Sequence, residues 1–157
     1  MKIVILRHEN KKSVDQTKGC GCLYLSLEYK KKIIEFLIEK LHPEFIYIFG
    51  SYARGEARED SDIDLAVYVG EYIGSYELFV LGNELSFDLG KDVQIIDLKS
   101  ASAVFAAQIV GNGQVLYCRD DFVRANYEIR IFKDYAKLNE ERKVILDAIE
   151  RDGKVYE

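Results

Sequence analysis

Four residues stand out by type and spacing in this chain: Gly50 and Ser51, then Asp62 and Asp64. They open and close the segment Gly50-Ser51-Tyr52-Ala53-Arg54-Gly55-Glu56-Ala57-Arg58-Glu59-Asp60-Ser61-Asp62-Ile63-Asp64, which lies between two apolar runs that read as strands. A glycine lets the main chain approach a ligand closely, and successive N–H groups beside it can form a nest for an anion. A helix beginning at that point would favour phosphate further, and Ser51 adds a hydroxyl. Asp62 and Asp64 alternate along a strand, so both side chains leave one face, roughly 6.5–7 Å apart. Ile63 and Leu65 then turn toward the core. Two carboxylates side by side on a sheet repel each other unless a cation lies between them. A hard divalent ion such as magnesium is the expected answer.

Taken singly, each half of this pattern is ordinary: a Gly-Ser pair is usually a turn, and Asp-x-Asp is usually a solvated strand end. Joined by one short connection between two strands, they face a single site. That arrangement suits a nucleoside triphosphate held through its phosphates and its magnesium, with the α-phosphate presented for in-line attack and pyrophosphate leaving. Arg54 and Arg58 are candidates to steady the phosphates, since guanidinium matches phosphate oxygens; they fit equally well as solvated turn residues.

The elements that must position these residues follow from periodicity. Ile33, Ile34, Leu37, Ile38 and Leu41 recur at helical spacing between Ser26, a plausible N-cap, and the stop at His42-Pro43. Phe45 to Phe49 is β-branched and aromatic and predicts a buried strand; Ile63 to Val69 and Val93 to Ile96 predict two more. Helices are expected over Tyr76 to Leu89 and over Ala101 to Val110, the second capped by the Gly111-Asn112-Gly113 turn. Gln114 to Tyr117 reads as a short strand. A long charged helix is expected from about Asp121 to Asp152, with apolar positions at Ile129, Phe132, Ala136, Val144, Leu146 and Ile149. The fold class is therefore α/β (α+β): one small mixed domain over residues 23–157. The polar stretch 1–22 is expected to form a poorly ordered arm.

Composition narrows the function classes. At 157 residues and 48% hydrophobic content, one globular core is attainable without metals or disulfides. Cys20, Cys22 and Cys118 cannot all pair, which fits a reducing cytoplasm better than secretion. No apolar run approaches the roughly 20 residues that span a bilayer. The N-terminus does not read as a signal peptide, so no membrane association is expected. A formal net charge of −5 speaks against direct nucleic-acid binding, which needs a phosphate-neutralising surface.

The Gly-Ser pair, ten residues and Asp-x-Asp resemble the nucleotidyltransferase signature of the DNA polymerase β superfamily. Phe49-Gly50-Ser51-Tyr52-Ala53-Arg54-Gly55 and Ser61-Asp62-Ile63-Asp64-Leu65 are especially similar to the minimal nucleotidyltransferases, the antitoxin half of HEPN/MNT toxin–antitoxin pairs. The likeness extends through Ile96 to Ser102 and the Gly113 to Tyr117 turn. It implies the small nucleotidyltransferase fold, a mixed sheet flanked by helices. It also implies transfer of AMP from ATP to a tyrosine of a partner HEPN ribonuclease, which disables that toxin. Gly50, Ser51 and Arg54 would hold the triphosphate, and Asp62 and Asp64 would hold magnesium. A third carboxylate usual in the superfamily often falls where this chain has Gln94. Asp92, one alternation step earlier on the same face, is the nominated replacement as metal ligand and base, whereas Asp97 belongs to the other face. Two further functions stay open: a binder that neutralises a toxin by contact alone, and an antibiotic nucleotidyltransferase, against which the shortness of the chain argues.

Overall fold

The computed structural model describes residues 24–152; the arm expected over residues 1–22 lies outside the described residues. Helix α1 (Leu27–Leu41) begins where Ser26 Oγ accepts the Tyr29 N–H at 3.2 Å. It ends at His42, whose left-handed backbone (φ 46°) turns its N–H back to the Ile38 carbonyl, and Pro43 cannot continue the ladder.

Four strands follow: β1 (Phe45–Phe49), β2 (Ile63–Tyr68), β3 (Val93–Asp97) and β4 (Gln114–Cys118), in the spatial order β3-β2-β1-β4. β1 pairs antiparallel with both β2 and β4, whereas β2 and β3 are parallel. A parallel pair needs a crossover, and helix α3 (Ser75–Leu89) supplies it. The sheet is therefore mixed, with β3 at one edge.

The central strands are buried on both faces, which is why Phe45 to Phe49 carries no polar alternation. Ile46, Ile48, Ile63, Leu65, Val67 and Ile95 pack against α1 and α3. Phe45, Tyr47 and Ala66 turn to the other face, under helix α4 (Ala103–Asn112) and the first half of helix α5 (Asp121–Asp152). A polar lock fastens α5 there. The buried Tyr47 hydroxyl donates to Glu128, Arg124 bridges Glu128 at 3.0 Å and Asp121 at 3.1 Å, and the Tyr127 hydroxyl donates to the Leu98 carbonyl at 3.0 Å.

The structure sharpens three of the expectations. The connection after β1 opens with a short helix, α2 (Gly50–Arg54). Helix α4 starts at Ala103 because Ser102 caps it, and it runs through Gly111 and Asn112 before Gly113 leaves in an extended conformation. On α5, the apolar positions named from the sequence are not the packed ones. Ile129, Phe132, Ala136, Val144 and Leu146 are exposed and Ile149 is 37% exposed, while Tyr127 and Ile131 are buried. Only the first half of α5 meets another layer, so its buried face is short and its pattern is too weak to read from periodicity.

Candidate active site

Strand β1 delivers the chain to Gly50 at the edge of the core, and α2 begins there. Phe49, at the N-cap, offers no side-chain acceptor to the first-turn N–H groups of α2. Those groups therefore have no side-chain cap and are available to an anion. Tyr52 is buried and anchors α2 in the α1–α3 core, while Gln114 Nε2 donates to the Ala53 carbonyl at 2.9 Å and ties β4 to the same helix. Ser61 closes the return to β2: its Oγ accepts the Arg58 N–H at 2.8 Å, and its own N–H reaches the Arg58 carbonyl.

Asp64 is the second residue of β2, paired across the ladder with Phe49 on one side and Gln94 on the other. Asp62 precedes the strand on the same face and is exposed, whereas Asp64 is half-buried. Ile63 and Leu65 are fully buried on the opposite face, as the alternation requires. Gly50 comes so close to Asp64 that a Cβ at Gly50 would overlap the carboxylate oxygen and lie 3.2 Å from its Cγ. Gly50 also has φ +70°, a conformation that side chains disfavour. The expected anion nest and the Asp64 carboxylate are thus adjacent.

Burial pushes the Asp64 carboxyl above the ordinary carboxylate range, and the neighbouring Asp62 charge pushes it the same way. The Arg54 guanidinium opposes both. Arg54 is exposed and paired with Glu56 at 2.8 Å, so its phosphate-binding and turn-bracing readings meet in one residue. Arg58 is exposed on the connecting turn.

Asp92 and Gln94 stand at the start of the edge strand, both exposed. The Asp92 carbonyl accepts the Ile63 N–H at 2.8 Å, which places Asp92 next to Asp62, while Gln94 occupies the position next to Asp64. Among the described residues, no three His, Cys, Asp or Glu side chains are gathered closely enough to share an ion. The expected set of Asp62, Asp64 and Asp92 is therefore not assembled, because Asp92 sits one step outward and an amide fills the inner step. The remaining pair still fits magnesium. That ion is commonly held by one or two carboxylates together with substrate phosphates, and the mutual repulsion felt at Asp64 is what a cation relieves.

Two supports escaped sequence reasoning. Gln114 reaches α2 across 61 residues, and Phe105 of α4 packs edge-on against Phe49 at 5.7 Å, walling the site. Neither has a local signal; the first follows from strand order and the second from the packing of α4 on β1.

A Gly-Ser nest against a carboxylate pair on a mixed sheet defines a nucleotidyltransferase site. The family model described as "Polymerase beta, Nucleotidyltransferase" matches residues 31–122, and the chain belongs to that family. Among curated relatives, the protein adenylyltransferase MntA of Shewanella oneidensis is 32% identical over 123 residues, covering 76% of this chain and 86% of its own. A putative protein adenylyltransferase of Methanocaldococcus jannaschii is 40% identical over 83 residues, 53% of this chain and 88% of its own. Among solved structures, a toxin–antitoxin complex with AMP-PNP contains a chain that superposes with a TM-score of 0.70 at 31% identity, covering 77% of this chain and 98% of that one. A tri-AMPylated Shewanella oneidensis HEPN toxin in complex with its MNT antitoxin gives a TM-score of 0.66 at 29% identity, covering 78% and 97%.

Proposed function

We propose that this chain is an antitoxin that transfers AMP from ATP to a tyrosine hydroxyl of a partner HEPN ribonuclease, releasing pyrophosphate and inactivating the toxin. The observation that carries the reading is the contact between Gly50 and Asp64, which makes the nest and the carboxylate pair one site. The relatives named above support the choice of acceptor.

In this mechanism the first-turn N–H groups of α2 and Ser51 hold the β- and γ-phosphates, and Arg54 adds positive charge beside them. Asp62 and Asp64 would hold magnesium, which when bound would supply positive charge to offset the charge developing at the phosphates. The acceptor oxygen forms a bond to the α-phosphorus as the bond to the bridging oxygen of the β-phosphate breaks, and the hydroxyl proton passes to solvent or to Asp92. ATP use and an RNA-cleaving partner fit a cytoplasmic protein. No helix among the described residues is long and apolar enough to cross a membrane.

The amide at Gln94 favours one second reading: a nucleotide-binding antitoxin that silences its partner by contact, without chemistry. One experiment separates the two. The chain is mixed with its neighbouring gene product, magnesium and ATP, and the partner is weighed by intact mass spectrometry beside an Asp62→Asn control. Added mass in whole AMP units, absent from the control, supports transfer. An unchanged mass in a complex that still blocks the toxin rejects it.

A further inference from the structure

A groove of about 710 Å³ runs between α3 and the edge strand β3, and Asp62 is among its lining residues. Its far wall is exposed α3 surface, with Phe79 and Asn83, and Tyr72 and Ser100 flank one end. Its floor is β3, whose main chain is only half used. Asp92 accepts from Ile63 and the Leu98 N–H reaches Val67, so in this parallel ladder the even-numbered residues bond to β2. The N–H and C=O groups of Val93 and Ile95 and the Asp97 N–H point outward, whereas the Asp97 carbonyl accepts from the Ser100 N–H at 3.2 Å and from Ser100 Oγ at 3.0 Å. α3 satisfies the first of these, since Ser86 Oγ accepts the Val93 N–H at 2.8 Å. Gly82 allows that close approach: a Cβ there would lie 2.9 Å from the Val93 carbonyl oxygen. The Ile95 N–H has no acceptor among the described residues.

From this arrangement we infer that an extended segment of the acceptor protein lies in the α3–β3 groove and pairs with the outward main chain of β3 at Ile95 and at the Asp97 N–H. The inference deepens the adenylyltransferase reading and rests on it. In-line displacement requires the attacking oxygen to enter opposite the leaving pyrophosphate. The phosphate nest follows β1, the carboxylates lie at the start of β2, and the groove opens across β2 on the β3 side, which suits an acceptor entering opposite the leaving group. Edge addition is a common way to hold a peptide, with the main chain supplying affinity and alternate side chains supplying specificity. The groove is lined by Asp62, Asp92 and Asp97 and by no cationic side chain, so the segment it fits carries basic residues beside its tyrosine.

The test uses the full chain with its partner. Amide hydrogen exchange at Ile95 is compared for the chain alone, with AMP-PNP, and with the partner added. Asn83→Trp and Ser100→Trp, which fill the groove from exposed positions, are assayed for AMP transfer and for binding of AMP-PNP. The expected result is slowed exchange at Ile95 only when partner is present, and at least a tenfold loss of transfer with analogue binding unchanged. Unslowed exchange at Ile95, or full transfer by both tryptophan variants, overturns the proposal. Loss of analogue binding in the variants also overturns it, by giving the groove to the nucleotide. If the wild-type chain modifies no partner, the adenylyltransferase reading fails by itself, and the exchange experiment still decides whether the partner docks on β3.

Discussion

Asp64 fills the space that a side chain on Gly50 would need: the glycine sits at φ +70°, and the carboxylate of Asp64 lies where its Cβ would be. Thirteen residues of chain separate them, yet the start of α2 and the first carboxylate of β2 are packed as one unit. The closeness lets a single ligand touch both.

Gly50→Ala is expected to cost about 1–3 kcal/mol of stability from its left-handed backbone, with a further loss from the clash. Thermal unfolding reads the first effect. Displacement of Asp64 reads out as weakened AMP-PNP binding and transfer reduced beyond what the stability change explains. Unchanged binding would show that the nest does not depend on this contact.

Asp62→Asn is expected to lower AMP transfer at least about a hundredfold, since metal-assisted charge stabilisation is worth several kcal/mol. Complex formation with the partner should survive. Partner mass, measured with and without the variant, checks this.

Asp64→Asn should separate stability from activity. The folded-state pKa of Asp64 is raised, mainly by burial and then by Asp62. Its stabilising contribution is therefore present below its unfolded value and lost as pH rises through the folded one. Without ATP or magnesium, Asp64→Asn should melt higher than wild type at pH 7, and the gap should close as pH falls toward 4. Transfer should be abolished at every pH. A lower melting temperature at pH 7 would contradict the reading.

Gln94→Asp places a carboxylate beside Asp64, and it is expected to raise the transfer rate and sharpen its pH dependence. Asp92→Asn should cost well short of the roughly 10²–10⁴-fold that a positioned general base supplies, because Asp92 is exposed and one step outward. Single-turnover rates for the two variants test the assignment of these positions.

Tyr127 predicts behaviour at high pH. Burial pushes its phenol up from 10.0 to about 12, against the opposing charge of Arg130. Its contribution to stability is intact below pH 10 and is lost as pH rises through about 12. Tyr127→Phe should be weaker by about 1 kcal/mol at neutral pH, for the lost bond to the Leu98 carbonyl. It should also lose less stability than wild type between pH 10 and 12, which denaturant titrations at both pH values would measure.

Much of the molecule was legible in its residues because the signals are local. Ser26 and His42-Pro43 bound α1, the unbroken apolar run Phe45–Phe49 marks a strand buried on both faces, and the alternation Asp62-Ile63-Asp64-Leu65 sorts carboxylates from core. The spacing from Gly50 to Asp64 likewise predicted that the Gly-Ser pair and the carboxylates face one place, and Gly50 and Asp64 do meet. Tertiary structure decided what depends on strand order and on where a second layer exists. Register placed Gln94, and not Asp92, beside Asp64. Docking of only the first half of α5 left Phe132 and Leu146 in solvent while Tyr127 and Ile131 were buried. The outward main chain of β3 follows from its place at the sheet edge. These are contacts between residues far apart in the chain, and short-range periodicity carries no information about which distant partner a face will meet.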